Sequence, residues 1–289
     1  MNRRQFLHTA TATTLLSVGA KGENAKVTWK IGCFNRPWDR WSFDEALDGM
    51  KAAGFTTIGL LGDHKGEPFI YPEATPETLE TLRKRIQDRG LKVILGRMHA
   101  RFNTSPTETL DNIKRQIDNA HTLKLKYVMA IGPDKPEEFD AYYAAMHSAA
   151  TYARPLGLQI VFKPHGGIAA SAESILKCLQ RVNHPNFRLW YDAGNIIHYT
   201  DKDPVTDSAE IARLATGFCA KDCAKFHGDV MIPFGAGKVD FSGVFHNLKA
   251  GGFKGPVMIE CCGGQTPAEV TAQALGNRLF LERIFANLT

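Results

Sequence analysis

Short apolar runs alternate with longer amphipathic stretches from Lys26 to the end of the chain. The runs are VTWKIGCF (27–34), TTIGLL (56–61), LKVILGRM (91–98), KYVMAIG (126–132), LQIVFK (158–163), FRLWYD (187–192), GFCAKD (217–222) and PVMIE (256–260). Each has the length of a strand and is apolar almost throughout, as strands of a parallel sheet covered on both faces are. Helix-start signals follow most of them. Ser42 with Glu45 reads as a capping box, and Gly54 closes that helix. Thr75-Pro76, Ser105-Pro106-Thr107-Glu108, Asp207-Ser208-Ala209-Glu210 and Thr266-Pro267-Ala268-Glu269 open others. Further helices are expected near 136–154, from Ser171 and near Phe241. Eight strand-then-helix units predict an α/β fold, a single-domain (β/α)8 barrel over residues 26–289. A doubly wound open sheet is the alternative, but no GxGxxG follows the first run to support it.

The first residues break this pattern. MNRRQFLHTATATTLLSVGA opens with Arg3 and Arg4, continues with a weakly apolar run, and ends in Val18-Gly19-Ala20. This is the form of a twin-arginine export signal, so residues 1–25 are expected to be a signal and short linker, the export machinery a partner, and the location periplasmic. The run is too short and too polar to span a bilayer. Cysteines 33, 178, 219, 223, 261 and 262 show no CxxC spacing, and most are expected to pack as small buried side chains. The 289 residues carry a net charge of +5 and are 44% hydrophobic, enough for a large core. No basic cluster is interleaved with aromatics, so nothing points to nucleic acid.

In a (β/α)8 barrel the chemistry lies at the carboxyl ends of the strands. The polar residues that end the runs are therefore the candidates: Arg97 and His99, Lys163 and His165, Asp192 with Asn195, Cys219 with Lys221 and Asp222, and Glu260. Each has a plain alternative. Asp192 or Glu260 can cap a helix or pair with a barrel lysine, His99 can be a satisfied structural histidine, and Lys221-Asp222 can be an internal salt bridge. Convergence on one mouth favours function, because burying several charges together is costly. FNRPW, after the first strand, offers Arg36 and Trp38 as a charged edge and a stacking wall for a sugar, with loop anchoring as the alternative for Trp38.

These strand-end motifs resemble the xylose-isomerase-like barrel superfamily, the sugar phosphate isomerase/epimerase group. YDAGN (191–195), FCAKD (218–222), FGAGKVDF (234–241) and GGFKGPVMIE (251–260) carry the resemblance, which covers residues 27–286. It implies a divalent metal (Zn, Mn or Mg) held by carboxylates and histidine from strands five to eight. Asp192 and Glu260 match that set, whereas Lys163 stands at the strand-five glutamate and Cys219 at the strand-seven histidine. Asp192, Glu260 and Cys219 are thus the expected metal ligands, with His165 or His99 completing a Zn site. A protonated Lys163 would instead repel the ion and take over its role at an enolate oxygen. Pairing with Asp192 or Glu260 is the purely structural alternative.

The resemblance implies an enzyme acting on a sugar or keto-sugar by proton abstraction next to a carbonyl, as an isomerase or epimerase. Glu260, Lys163, His99 and His165 are the expected catalytic groups, and Arg36, Trp38, Asn195, Lys221 and Asp222 the substrate-binding ones. The altered ligand set opens two alternatives: a one-base lyase or hydratase acting on 3-keto-glycosides, and an exported carbohydrate-binding barrel without catalysis. An endonuclease-like site would need more His, Asp and Glu ligands than the strand ends supply.

Overall fold

The computed structural model describes residues 27–102 and 104–288. The segment expected to direct export, residues 1–25, lies outside them. Eight strands, β1 (Ile31–Phe34), β2 (Thr57–Leu60), β3 (Lys92–Met98), β4 (Tyr127–Ala130), β5 (Gln159–Phe162), β6 (Phe187–Tyr191), β7 (Ala215–Ala220) and β8 (Val257–Ile259), close into one parallel barrel in sequential order. The helices around it are α1 (Phe43–Ala52), α2 (Pro76–Asp88), α3 (Pro106–Thr122), α4 (Phe139–Ala153), α5 (Ala172–Val182), α6 (Ala193–Thr200), α7 (Pro204–Ile211), α8 (Phe241–Ala250) and α9 (Pro267–Asn287). None of them is long and apolar enough to cross a membrane. The expected single-domain (β/α)8 barrel is what forms.

Local chemistry sets the helix starts. Ser42 accepts from Glu45 N while Glu45 reaches back to Ser42 N, and Thr75 and Thr78 form the same reciprocal pair. One expectation needs correction, and one helix was not anticipated. The helix expected to be capped by Asp207 starts earlier, with Asp203 as its cap. Asp207 is buried and accepts from Tyr191 Oη and from Ala172 N. The segment after Asp192 is also helical, as α6, and Asp192 Oδ1 caps it by accepting from Asn195 N at 3.0 Å.

The barrel interior holds Phe34, Ile94, Leu95, Met129, Val161, Trp190, Cys219 and Met258 as one buried cluster. Side chains alternate faces along a strand, so residues two positions further on point into the barrel again, one layer higher. From Val161, Trp190, Cys219 and Met258 that step reaches Lys163, Asp192, Lys221 and Glu260. The register of β7 on β8 pairs Ala220 with Ile259, so Lys221 and Glu260 emerge side by side. The apolar layer below thus forms the floor of a polar layer at the mouth.

Candidate active site

Four side chains at the ends of β5, β6, β7 and β8 form a closed charge cluster. Lys163 Nζ donates to Glu260 Oε2 at 2.5 Å and to Asp192 Oδ2 at 3.1 Å. Lys221 Nζ lies 2.6 Å from Glu260 Oε1 and 3.3 Å from Asp192 Oδ2. Lys163 is 1% exposed, Asp192 0%, and Lys221 and Glu260 3% each. Burial alone would raise the Glu260 pKa, but Lys163, Lys221 and Arg36 outweigh it and hold the carboxyl well below the usual range. The same logic holds the Lys221 ammonium in its charged form: burial opposes the charge, and Asp192 and Glu260 override it. Gly194 makes room for this arrangement, since a Cβ there would lie 2.4 Å from Lys221 Cγ.

Three members of the cluster, Lys163, Lys221 and Glu260, form one wall of a cavity of about 230 Å³. Arg36, Arg97, His165, Asn195, His198 and Tyr199 also line it. His165 stands 3.1 Å from Tyr199 Oη through Nε2. Burial, then Lys163 and Lys221, push its pKa down to about 4, so its ring is neutral at neutral pH. Asn195 Nδ2 donates to Pro164 O at 2.6 Å, which fixes the loop that carries His165.

The remaining sequence candidates fall elsewhere. Trp38 is 0% exposed, and its indole packs so closely on α1 that a Cβ at Gly49 would sit 2.5 Å from Nε1. It is a core anchor, and no sugar can stack on it. Asp222 neither pairs with Lys221 nor lines the cavity. Its carboxylate accepts from the backbone N–H groups of Cys223, Gly235, Gly237 and Val239. Those four bonds fold the FGAGKVDF segment over the barrel rim. Gly235 sits at φ +87°, and a Cβ at Gly237 would meet Asp222 Oδ1 at 2.3 Å, so both glycines are needed for the loop to close. His99 opens onto a neighbouring cavity of about 190 Å³ with Tyr71, Glu73 and Arg101, and its Nε2 contacts Arg97. Burial and Arg97 lower its pKa. Sequence reasoning missed Tyr199 and His198, because both lie on α6, a helix it did not expect.

Asp192, Cys219 and Glu260 do offer three buried ligand atoms within 4.8 Å of one another. They do not fit a divalent ion. The Glu260 oxygens and Asp192 Oδ2 already accept from two ammonium groups, and Asp192 Oδ1 from a backbone amide. The Cys219 thiol belongs to the apolar layer below, with Val161, Trp190 and Met258. An added cation would face Lys163 and Lys221 at close range. All six cysteines are buried and unbridged.

The fold is that of a closed β/α barrel, and the sequence agrees: the chain belongs to the xylose isomerase-like TIM barrel family, which it matches over residues 47–283. No curated protein sequence matches it. Solved structures share its fold. A xylose isomerase-like TIM barrel protein from Mycobacterium smegmatis, in complex with magnesium, superimposes with a TM-score of 0.72 at 15% identity, over 90% of this chain and 98% of its own. D-psicose 3-epimerase from Clostridium cellulolyticum H10 does so with 0.71 at 11% identity, over 89% and 99%. The probable 3-DHS dehydratase AsbF from Bacillus anthracis gives 0.68 at 15% identity, over 85% and 97%. At these identities the likeness is one of fold.

Proposed function

We propose that this barrel is a carbohydrate isomerase or lyase that removes a proton next to a carbonyl, with two lysine ammonium groups holding the enolate oxygen. The observation that supports this reading most directly is the Lys163–Asp192–Lys221–Glu260 cluster, whose cations stand where the resemblance places a metal. Fixed N–H donors at a buried site stabilise developing negative charge strongly, because they need no reorganisation during the reaction. Glu260, one of the expected catalytic groups, suits the role of base poorly. Both its oxygens accept from ammonium groups, so neither is free to receive a proton from a substrate carbon. Its role in this reading is to orient the two lysines. His165 is the proton carrier, with Tyr199 Oη beside it to orient the ring or pass the proton on.

Among the described residues, Glu260 is the one carboxylate lining the cavity, and it is engaged. Two free carboxylates on opposite faces of a substrate carbon, as two-faced epimerisation by a carboxylate pair requires, are not present there. This favours a one-base reaction, isomerisation or β-elimination. The test is hydrogen exchange. A panel of ketoses and keto-glycosides incubated with the protein in deuterated water should show deuterium entering at the carbon next to the carbonyl, and His165→Gln should abolish it. Binding without exchange or product for every member would favour a carbohydrate-binding barrel instead.

A further inference from the structure

We infer that the substrate carries a carboxylate and that the Arg36 guanidinium binds it. This deepens, and rests on, the reading of the cavity as a substrate site. The argument is a balance of charges around one space. Lys163 and Lys221 are matched by Asp192 and Glu260. Arg97 is matched by Asp63 at 3.0 Å. His165 is neutral. His198 Nδ1 is engaged with Gly228 O. Arg36 remains. Its Nη1 touches Cys261 Sγ and Met231 Sδ, and among the described residues its other nitrogens make no hydrogen bond and no carboxylate lies at ion-pair distance, Glu260 and Asp39 acting on it only from further off. Thiol and thioether sulfurs are weak acceptors, so they seat the guanidinium without neutralising it.

Arg36 is also held in advance. Asn35 clamps the loop after β1 to the loop after β2, with Oδ1 accepting from Leu61 N at 2.7 Å and Gly62 N at 2.9 Å, and Nδ2 donating to Gly62 O at 2.8 Å. Gly62 permits this approach, since a Cβ there would lie 2.6 Å from Arg36 Cα. Pro37 and the buried Trp38 follow in a short 3-10 turn. A half-buried guanidinium with no anion is costly unless a ligand completes it, and its planar fork matches a carboxylate with two parallel bonds. One unmatched positive charge fits one singly charged group. Arg36 and Glu260 line the same cavity, so this carboxylate would sit on the molecule whose carbonyl faces the lysines.

Matched pairs of probes test the inference by calorimetry: D-glucuronate against D-glucose, D-gluconate against D-glucitol, and D-glucose 6-phosphate against D-glucose. A carboxylate should bind at least tenfold more tightly than its neutral partner, and Arg36→Met should erase that preference while the unliganded variant still melts cooperatively. Should Arg36→Met fail to fold, Arg36→Lys keeps the charge without the fork and should retain only part of the preference. Carboxylates that bind no more tightly than their neutral partners would overturn the inference. So would a gain confined to the phosphate ester, or a preference that survives in Arg36→Met. The two readings fail separately: carboxylate binding without proton exchange sinks the enzymatic reading alone, and exchange on neutral sugars with no preference for acids sinks this one alone.

Discussion

The rim of the barrel has two charged regions built on different terms. On the β5–β8 side, two cations and two anions lie nearly sealed from water, with no member more than 3% exposed. On the β2–β3 side, Arg97, Asp63, Tyr71 and His99 also touch one another, but the Asp63 side chain is 59% exposed. The first arrangement has a large desolvation cost and the second almost none. An apolar set of similar volume would stabilise the β5–β8 corner as well or better. Its charges are therefore best understood by what they do to a ligand, whereas the rim pairs need no function to account for them.

Breaking the buried side should have the largest effect. Glu260→Gln leaves two ammonium groups to share Asp192, and removing one partner from a buried ionic group costs about 3–5 kcal/mol. Urea unfolding at neutral pH should show a loss of that order, together with loss of turnover. The pH dependence follows from the direction of the shift. The Glu260 carboxyl is more acidic folded than unfolded, so its contribution is complete above the unfolded value of about 4.3 and is lost as pH falls below it. The variant should lack that part of the acid slope. Equal stability of variant and wild type at all pH values would mean the cluster is not closed in solution.

Changing the sign of one member sharpens the comparison. Lys163→Glu puts three carboxylates around Lys221, and Mn²⁺ binding measured by calorimetry should tighten at least tenfold over wild type. No gain would mean that something other than Lys163 keeps the corner from accepting a metal.

The barrel and this corner were legible in the sequence for the same reason. A parallel strand buried on both faces reads as a short apolar run, and the residue that ends it must face the mouth. Lys163, Asp192 and Glu260 announce themselves in that way, and Lys221 stands one place before the end of its run. What the sequence could not show is who pairs with whom. Lys221 and Asp222 are neighbours in the chain yet point to opposite sides of the strand, one to Glu260 and the other to the backbone of the 235–239 loop. Trp38 reads as a loop aromatic, but its fate depends on the close approach allowed by Gly49, eleven positions on. Helix α6 was hidden because its residues, AGNIIHYT, continue an apolar strand without a break and its cap is the functional Asp192.

A smaller effect should appear at His165, on the border between the two regions. Burial comes first and the two lysines second in lowering its pKa to about 4. The ring is less basic folded than unfolded, so its contribution to stability is complete above the unfolded value of about 6.5 and declines as pH falls from there toward 4. An NMR titration of the imidazole should show it neutral well below pH 6, and Lys163→Met should move the midpoint upward. A wild-type midpoint near 6.5 would place the ring in water, away from the lysines.

The smallest effect belongs to the rim. Asp63→Asn removes the Arg97 partner, but a pair this exposed is screened by solvent and contributes at most about 1 kcal/mol. Thermal unfolding should barely change, and what remains of the effect should fade as salt is raised. Its value lies in the charge balance of the cavity. With Asp63 neutral, Arg97 becomes a second unmatched guanidinium beside Arg36, so acid probes should bind no more weakly, and slightly more tightly, than to wild type. A substitution that is silent in stability yet favourable for anions would show that the rim pair tunes the charge offered to a ligand. A clear loss of stability would show instead that Arg97 and Asp63 act as a buried pair, and the contrast between the two sides of the mouth would disappear.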